Sequence, residues 1–347
     1  MKKYFFLLML SAICLAVTAQ DKSDKKPYLT KSFSGETITK VIAETSGGNI
    51  TVTGVAPSES RVEIFVYQNK NGQNSLSGDA LTSRINEDYD LDVSVKNSEL
   101  TVTAKSKHKI TDWKKALSFG FKIYIPKNAA TDLTTSGGNI SLTNLSGNKE
   151  FTTSGGNLNL DALEGKTKGR TSGGNINVSN SKDDIDVSTS GGNINAEKLS
   201  GNINIVTSGG SIKMNELSGK IKAETSGGNV KGETIGGELD ASTSGGNVSL
   251  HNLTCALRAS TSGGNIDVAV KSLGSYLSIN NSSGKVDLEI PKGTGIDLKL
   301  SAMKISTGSL ENFTGTNSTG EIKGTVNGGG IPVTVDAGSG KINVVFN

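Results

Sequence analysis

The stretch LSGNINIVTSGGSIKMNEL, Leu199 to Leu217, decides the fold. Ile203, Ile205 and Thr207 alternate with Asn204 and Val206. Beyond Gly209-Gly210, Ile212 and Met214 alternate with Lys213 and Asn215. Alternation with period 2, bounded by Gly and Ser, is the mark of a strand with one buried face. The stretch therefore holds two short strands separated by two corners.

The same pattern recurs on both sides. Thr-Ser-Gly-Gly starts at residues 135, 153, 171, 189, 207, 225, 243 and 261, always 18 residues apart. A period held without insertion means that each unit stacks on the last, since an extra residue would have to bulge out of the stack. The columns agree. One apolar column runs Ile140, Leu158, Ile176, Ile194, Ile212, Val230, Val248, Ile266; another runs Ile185, Ile203, Ile221, Leu239, Leu257. Leu145, Leu163, Leu199, Leu217, Ile235 and Leu253 form a third at a corner. The fold class is all-β: a single-stranded parallel β-helix, or β-solenoid, with 18-residue coils. The hexapeptide left-handed helix is excluded, because Ser146 and Thr152 stand where it needs apolar residues six and twelve positions after Ile140.

The corners account for the glycine pairs Gly137-Gly138, Gly155-Gly156, Gly173-Gly174, Gly191-Gly192, Gly209-Gly210, Gly227-Gly228, Gly245-Gly246 and Gly263-Gly264. A sharp turn calls for positive φ, which Gly adopts freely. Asn139, Asn157, Asn175, Asn193, Asn229, Asn247 and Asn265 follow the pairs. They are expected to stack at the coil spacing of ~4.8 Å and to bond amide to amide along a ladder. Both sets read as structural.

Around the array the sequence divides into five parts. Residues 1–19 read as a signal peptide, with Lys2 and Lys3 before the apolar run Tyr4 to Val17 and small residues at Val17-Thr18-Ala19. Residues 20–27 are a polar leader. Residues 28–130 form a β-rich cap containing one isolated copy of the motif, Thr45 to Ile50, and a short helix over Asp79 to Tyr89. That cap holds Phe65, Tyr67, Tyr89, Trp113, Phe119, Phe121 and Tyr124. These aromatics cover an open strand edge or, alternatively, form a binding site. The regular array fills 131–270, and 271–347 holds irregular coils and a second cap.

An Ile-Pro-Lys segment at 125–127 feeds the strand-Ser-Gly-Gly-Asn-Ile coils, and Ile290-Pro291-Lys292 echoes it. This combination resembles the bacterial "putative adhesin" family of unknown function, which is close to the head domain of auto-transporter adhesins. The resemblance spans roughly residues 40 to 347. It implies a right-handed β-helix and brings no catalytic residues.

Functional chemistry is sparse. The chain has 36 basic and 33 acidic residues, and loss of Lys2 and Lys3 with the signal leaves 34 against 33. A nearly neutral chain has no counterion-release term to drive nucleic-acid binding. Beyond the signal no apolar run is long enough to cross a membrane. The outward column Glu150, Lys168, Asp186, Asn204, Lys222, Asp240, Arg258 alternates in sign and offers no carboxylate cluster. Asp183, Asp184 and Asp186 are the densest acidic group and read as solvated; His108 and His251 read as surface histidines without partners. No cofactor or metal is expected. The sequence points to a non-enzymatic, adhesin-like module in the periplasm, at the cell surface or secreted. Its partner would be an envelope or extracellular protein or glycan, with end-to-end self-association possible. A polysaccharide-acting enzyme and a self-associating structural component are the alternatives.

Overall fold

The computed structural model describes residues 26–68, 76–109 and 116–347. The expected signal peptide, most of the leader and Trp113 lie outside the described residues. The array is a parallel β-solenoid in strict 18-residue register: Ile176 pairs with Ile194, Ile194 with Ile212, and Ile185 with Ile203. Two faces of each coil run as parallel sheets. The first ends in the Thr of each motif, as in Lys149–Thr153 and Thr167–Thr171. The second begins after the Asn, as in Ile140–Leu145 and Leu158–Leu163. The apolar columns face one another between the sheets and are buried throughout. Bulk is matched along them: the Phe151 ring occupies the space a Cβ on Gly169 would take, and Met214 and Leu250 close over Gly232.

The motif works differently from its sequence reading. None of its glycines has positive φ. A Cβ on the second glycine of each pair would instead lie 1.9–2.1 Å from the carbonyl oxygen of the equivalent glycine one coil earlier. That position requires glycine because backbones approach too closely for a side chain. The first glycine is under no such pressure, its nearest neighbour lying 3.5–4.0 Å away. The Thr supplies the glue. Its buried hydroxyl donates to the second glycine's carbonyl one coil back, as Thr207 Oγ1 does to Gly192 at 2.8 Å, and accepts the N–H of its own Gly210 at 3.3 Å. Thr207→Val leaves a carbonyl and an N–H without this partner and is expected to cost about 2 kcal/mol. A urea titration against Thr207→Ser, which keeps the hydroxyl and should lose less than half as much, checks it.

Positive φ falls elsewhere, on Asn144, Ala162, Asn180, Lys198, Glu216, Thr234 and Asn252, at 49–60°. This column sits just before the Leu-rich one, and Gly201, Gly219 and Gly237 add positive φ three residues later. The corner that the sequence placed at the Leu-rich column is therefore built from two turns. The Asn ladder also differs. Each Asn Oδ1 accepts the backbone N–H of the next coil's residue, as Asn157 does from Asn175 at 2.8 Å, so the bonds run side chain to backbone. The ladder starts at Asn49, passes through Ser211 and ends on Lys285. Amide-to-amide bonds occur one column over, from Asn177 to Asn159 and from Asn195 to Asn177.

At both ends the order of layers departs from the order of the chain. The motif at Thr45 is isolated only in sequence. Lys40–Thr45 pairs in register with Ala130–Thr135, and Ile50–Val55 with Ile140–Leu145, so residues 40–55 are the first coil. On its outer side lie Glu99–Ser106 and Leu117–Pro126. Antiparallel strands Tyr89–Lys96 and Arg61–Gln68 follow, and Leu29–Ser32 pairs antiparallel on the outer side of the latter. The expected helix is present as Gly78–Asp88. Phe65, Tyr89, Phe119 and Phe121 are buried here, with Tyr89 and Phe119 ring centroids 4.9 Å apart.

The other end mirrors this arrangement. Ile331–Asp336 lies between Leu277–Asn281 and Ile296–Ser301, and Lys341–Phe346 lies between Lys285–Ile290 and Lys304–Thr307. Each Ile-Pro-Lys turn therefore steps over one layer. The first skips the layer formed by residues 40–55, and the second skips the one formed by residues 331–346.

Three neighbouring inward positions of one column, Thr131, Lys149 and Thr167, are polar without being glue. Lys149 stands in the column of Ile185 and Ile203 and is 2% exposed. Its amine donates to the carbonyls of Gly147 and Glu164. Burial pushes its pKa from 10.5 down to about 8. Between those values the unfolded chain binds more protons than the folded one, so this group raises stability as pH rises and the gain is lost as pH falls through 8. The full swing is on the order of 3 kcal/mol. Lys149→Met should remove it, so the stability difference between wild type and variant should climb from pH 7 to 10.5 in denaturant titrations.

Candidate functional site: a charged groove along the first sheet

The outer face of the first sheet carries an open groove of about 580 Å³. Two columns line it. One is the alternating column already singled out, Lys168, Asp186, Asn204, Lys222, Asp240, Arg258. The other stands two residues earlier: Lys166, Asp184, Asn202, Lys220, Glu238. Residues two apart on a strand share a face, and in-register stacking brings each to within ~4.8 Å of its equivalent. Each coil thus presents a rung of two side chains of like type: two lysines, two aspartates, two asparagines, two lysines, then Glu238 with Asp240.

The polar contacts run between rungs. Lys168 Nζ lies 2.8 Å from Glu150 Oε1, and this hydrogen bond holds the Glu150 carboxyl below its usual range. Asn202 donates to Asp184 at 2.9 Å and Asn204 to Asp186 at 2.7 Å. Arg258 lies 3.7 Å from Asp240. At the far end Tyr276 donates its hydroxyl to Glu238 at 3.0 Å; burial first, and then Glu238, raise the Tyr276 pKa. Lys222 leans away to Glu224 at 2.9 Å, a hydrogen bond that raises its pKa. Among the described residues, Lys166 and Lys220 make no ion pair.

The other candidates do not assemble into a site. Asp183 takes a positive-φ corner and accepts the Gly165 N–H at 2.8 Å, while Asp184 and Asp186 point into the groove. His251, expected to lack partners, sits 3.2 Å from Asp267 and 3.9 Å from Glu233. His108 is exposed. The glycine pairs and the Asn column serve the stacking of coils. Among the described residues no group of three or more His, Cys, Asp or Glu could hold a metal ion, and no helix is long and apolar enough to cross a membrane. Cys255 is buried, and burial pushes its thiol up to about 11. Reading one column at a time hid the groove; the missing signal was the second column, which changes sign in step with the first.

The pattern of the Toastrack domain, DUF4097, matches residues 181–345, from within the array into the layer formed by residues 331–346. No curated protein matches the chain. A solved structure described as a "putative cell adhesion protein" from Clostridium sporogenes aligns over 93% of this chain and 100% of its own. The identity is 11% and the TM-score 0.20.

Proposed function

We propose that this chain is an exported, non-enzymatic interaction module of the cell surface or envelope, and that it engages its partner along the groove. The observation that carries this reading is the double ladder of charged and amide side chains, open to solvent and straight over five coils. Catalysis converges several groups on one reacting atom. A ladder repeats one contact at each coil, which suits an extended partner. The carboxylates of Asp184 and Asp186 each accept an amide of the next coil and continue the ladder. The buried aromatics of the cap support its role as a cover for the sheet edge, not as the recognition surface.

The test is a binding screen against envelope fractions and glycans, run with wild type and with Lys168→Glu/Lys222→Glu. Lys222 is exposed and Lys168 half-buried, so the variant should stay folded, losing about 1 kcal/mol or less at each new like-charge contact, while binding falls at least about tenfold. Unchanged binding would move recognition to the cap. Export itself predicts a mature protein beginning at Gln20, which N-terminal sequencing of the native protein would read.

A further inference from the structure

Resting on the reading of the groove as an interaction face, we propose that its partner is a second copy of this chain, seated antiparallel. The two-fold axis would run along the strand direction through Asn202 and Asn204.

The argument lies in the order of charges. Taking the Asn rung as centre, Asp186 on one side has Lys222 at the same distance on the other; Lys168 has Asp240, and Glu150 has Arg258. The neighbouring column does the same, with Asp184 against Lys220 and Lys166 against Glu238. Both columns are antisymmetric in charge about one rung. A two-fold axis along the strands turns the face over, keeps each column facing itself and reverses the order of coils. Every charge then meets its opposite, and the Asn amides, which can both donate and accept, meet each other.

Other two-fold registers fail, and a parallel copy shifted by one coil, which also opposes unlike charges, forms no closed pair. A parallel copy in register sets lysine on lysine and aspartate on aspartate. An antiparallel copy shifted by one coil opposes the rung of Lys166 and Lys168 with that of Lys220 and Lys222. Stacking within one chain explains why neighbouring coils avoid like charge, since like charges ~4.8 Å apart repel. It does not require the two halves to be charge images of each other. Lys166 and Lys220, which have no ion pair among the described residues, gain carboxylates from the second copy.

The face is small. Six coil steps give about 29 Å of length at two columns' width, well under the roughly 800 Å² per partner of a standard interface. The contact is therefore weak for single molecules, with a Kd on the order of 0.1–1 mM, and becomes effective when many copies are displayed together.

Sedimentation equilibrium of the chain from Gln20 onward tests this, at concentrations up to about 1 mM and at low and high salt. Wild type should dimerise at low salt and dissociate as salt rises. Lys222→Glu and Asp186→Lys should each weaken self-association at least about tenfold. The side chains are 56% and 44% exposed, so the like charge each change sets beside Asp240 or Lys168 of the neighbouring coil should destabilise the fold only slightly. A thermal melt of each single variant reads that loss separately. An equimolar mixture of the two variants should associate again. In that pair the new acid of one faces the new lysine of the other, and native Asp186 of the first faces native Lys222 of the second. A wild type that stays monomeric at low salt, a single variant that still dimerises, or a mixture that fails to recover would each overturn the proposal. If wild type is monomeric while envelope binding remains sensitive to Lys168→Glu/Lys222→Glu, the groove serves a different partner and the broader reading survives.

Discussion

Gly210→Ala should destabilise the protein by more than about 3 kcal/mol, while Gly209→Ala, one residue earlier, should cost less than about 1 kcal/mol. Sequence treats the two as one corner. The structure separates them: a Cβ on Gly210 would lie 1.9 Å from the Gly192 carbonyl oxygen, whereas one on Gly209 meets nothing within 3.5 Å. The clash is with backbone in the adjacent coil, whose position is fixed by ladder bonds on both sheets, so no side chain can swing away. Relief requires parting two coils, which also stretches the bond from Thr207 to Gly192. Gly209 has ordinary φ, so alanine there even narrows the unfolded ensemble. Urea midpoints of the two variants decide the matter, and equal losses would sink this account of the motif.

The second large effect concerns residues 331–346. A chain ended after Gly330 should lose order over residues 291–326 while the array keeps its protection. The removed segment is an internal layer, paired on both sides in both sheets, and it buries Val333, Val335, Ile342 and Val344. Four such side chains represent on the order of 6 kcal/mol or more of apolar burial. Without them Ile296–Ser301 and Lys304–Thr307 have no parallel neighbour. Leu277–Asn281 and Lys285–Ile290 become bare edges that would recruit other chains. Amide exchange should therefore show fast exchange in residues 296–326 and unchanged slow exchange in 176–261. Uniform loss across both regions would mean that the stack unfolds as one unit.

The array was legible because its physics is local and repeated: alternation fixes the strands, and the constant step fixes their register. The ends were not, because each Ile-Pro-Lys turn steps over a layer supplied from elsewhere in the chain, and no local pattern records that. The motif was legible as a corner, yet its glycines were assigned to backbone conformation when the cause is contact between coils, a cross-coil distance that one repeat cannot show. The positive φ at Lys198 and Glu216 had no glycine to announce it. The groove's outer column was visible, but Lys166, Asp184, Asn202, Lys220 and Glu238 acquired meaning only when placed beside it.

The bonds between coils join residues at fixed separations, 17 to 19 positions for the backbone, 18 for the Asn ladder and 15 for the Thr hydroxyl. Each array coil thus carries a complete set of fittings for the coil on either side. Excising 18 consecutive residues from the array, a loss of 54 nucleotides in frame, brings matching surfaces together and shortens the stack by ~4.8 Å. Duplicating 18 lengthens it by as much. The length of this protein can therefore drift by whole repeats that share one hydrogen-bonding pattern, while the two caps, whose layers are threaded out of order, stay fixed in size.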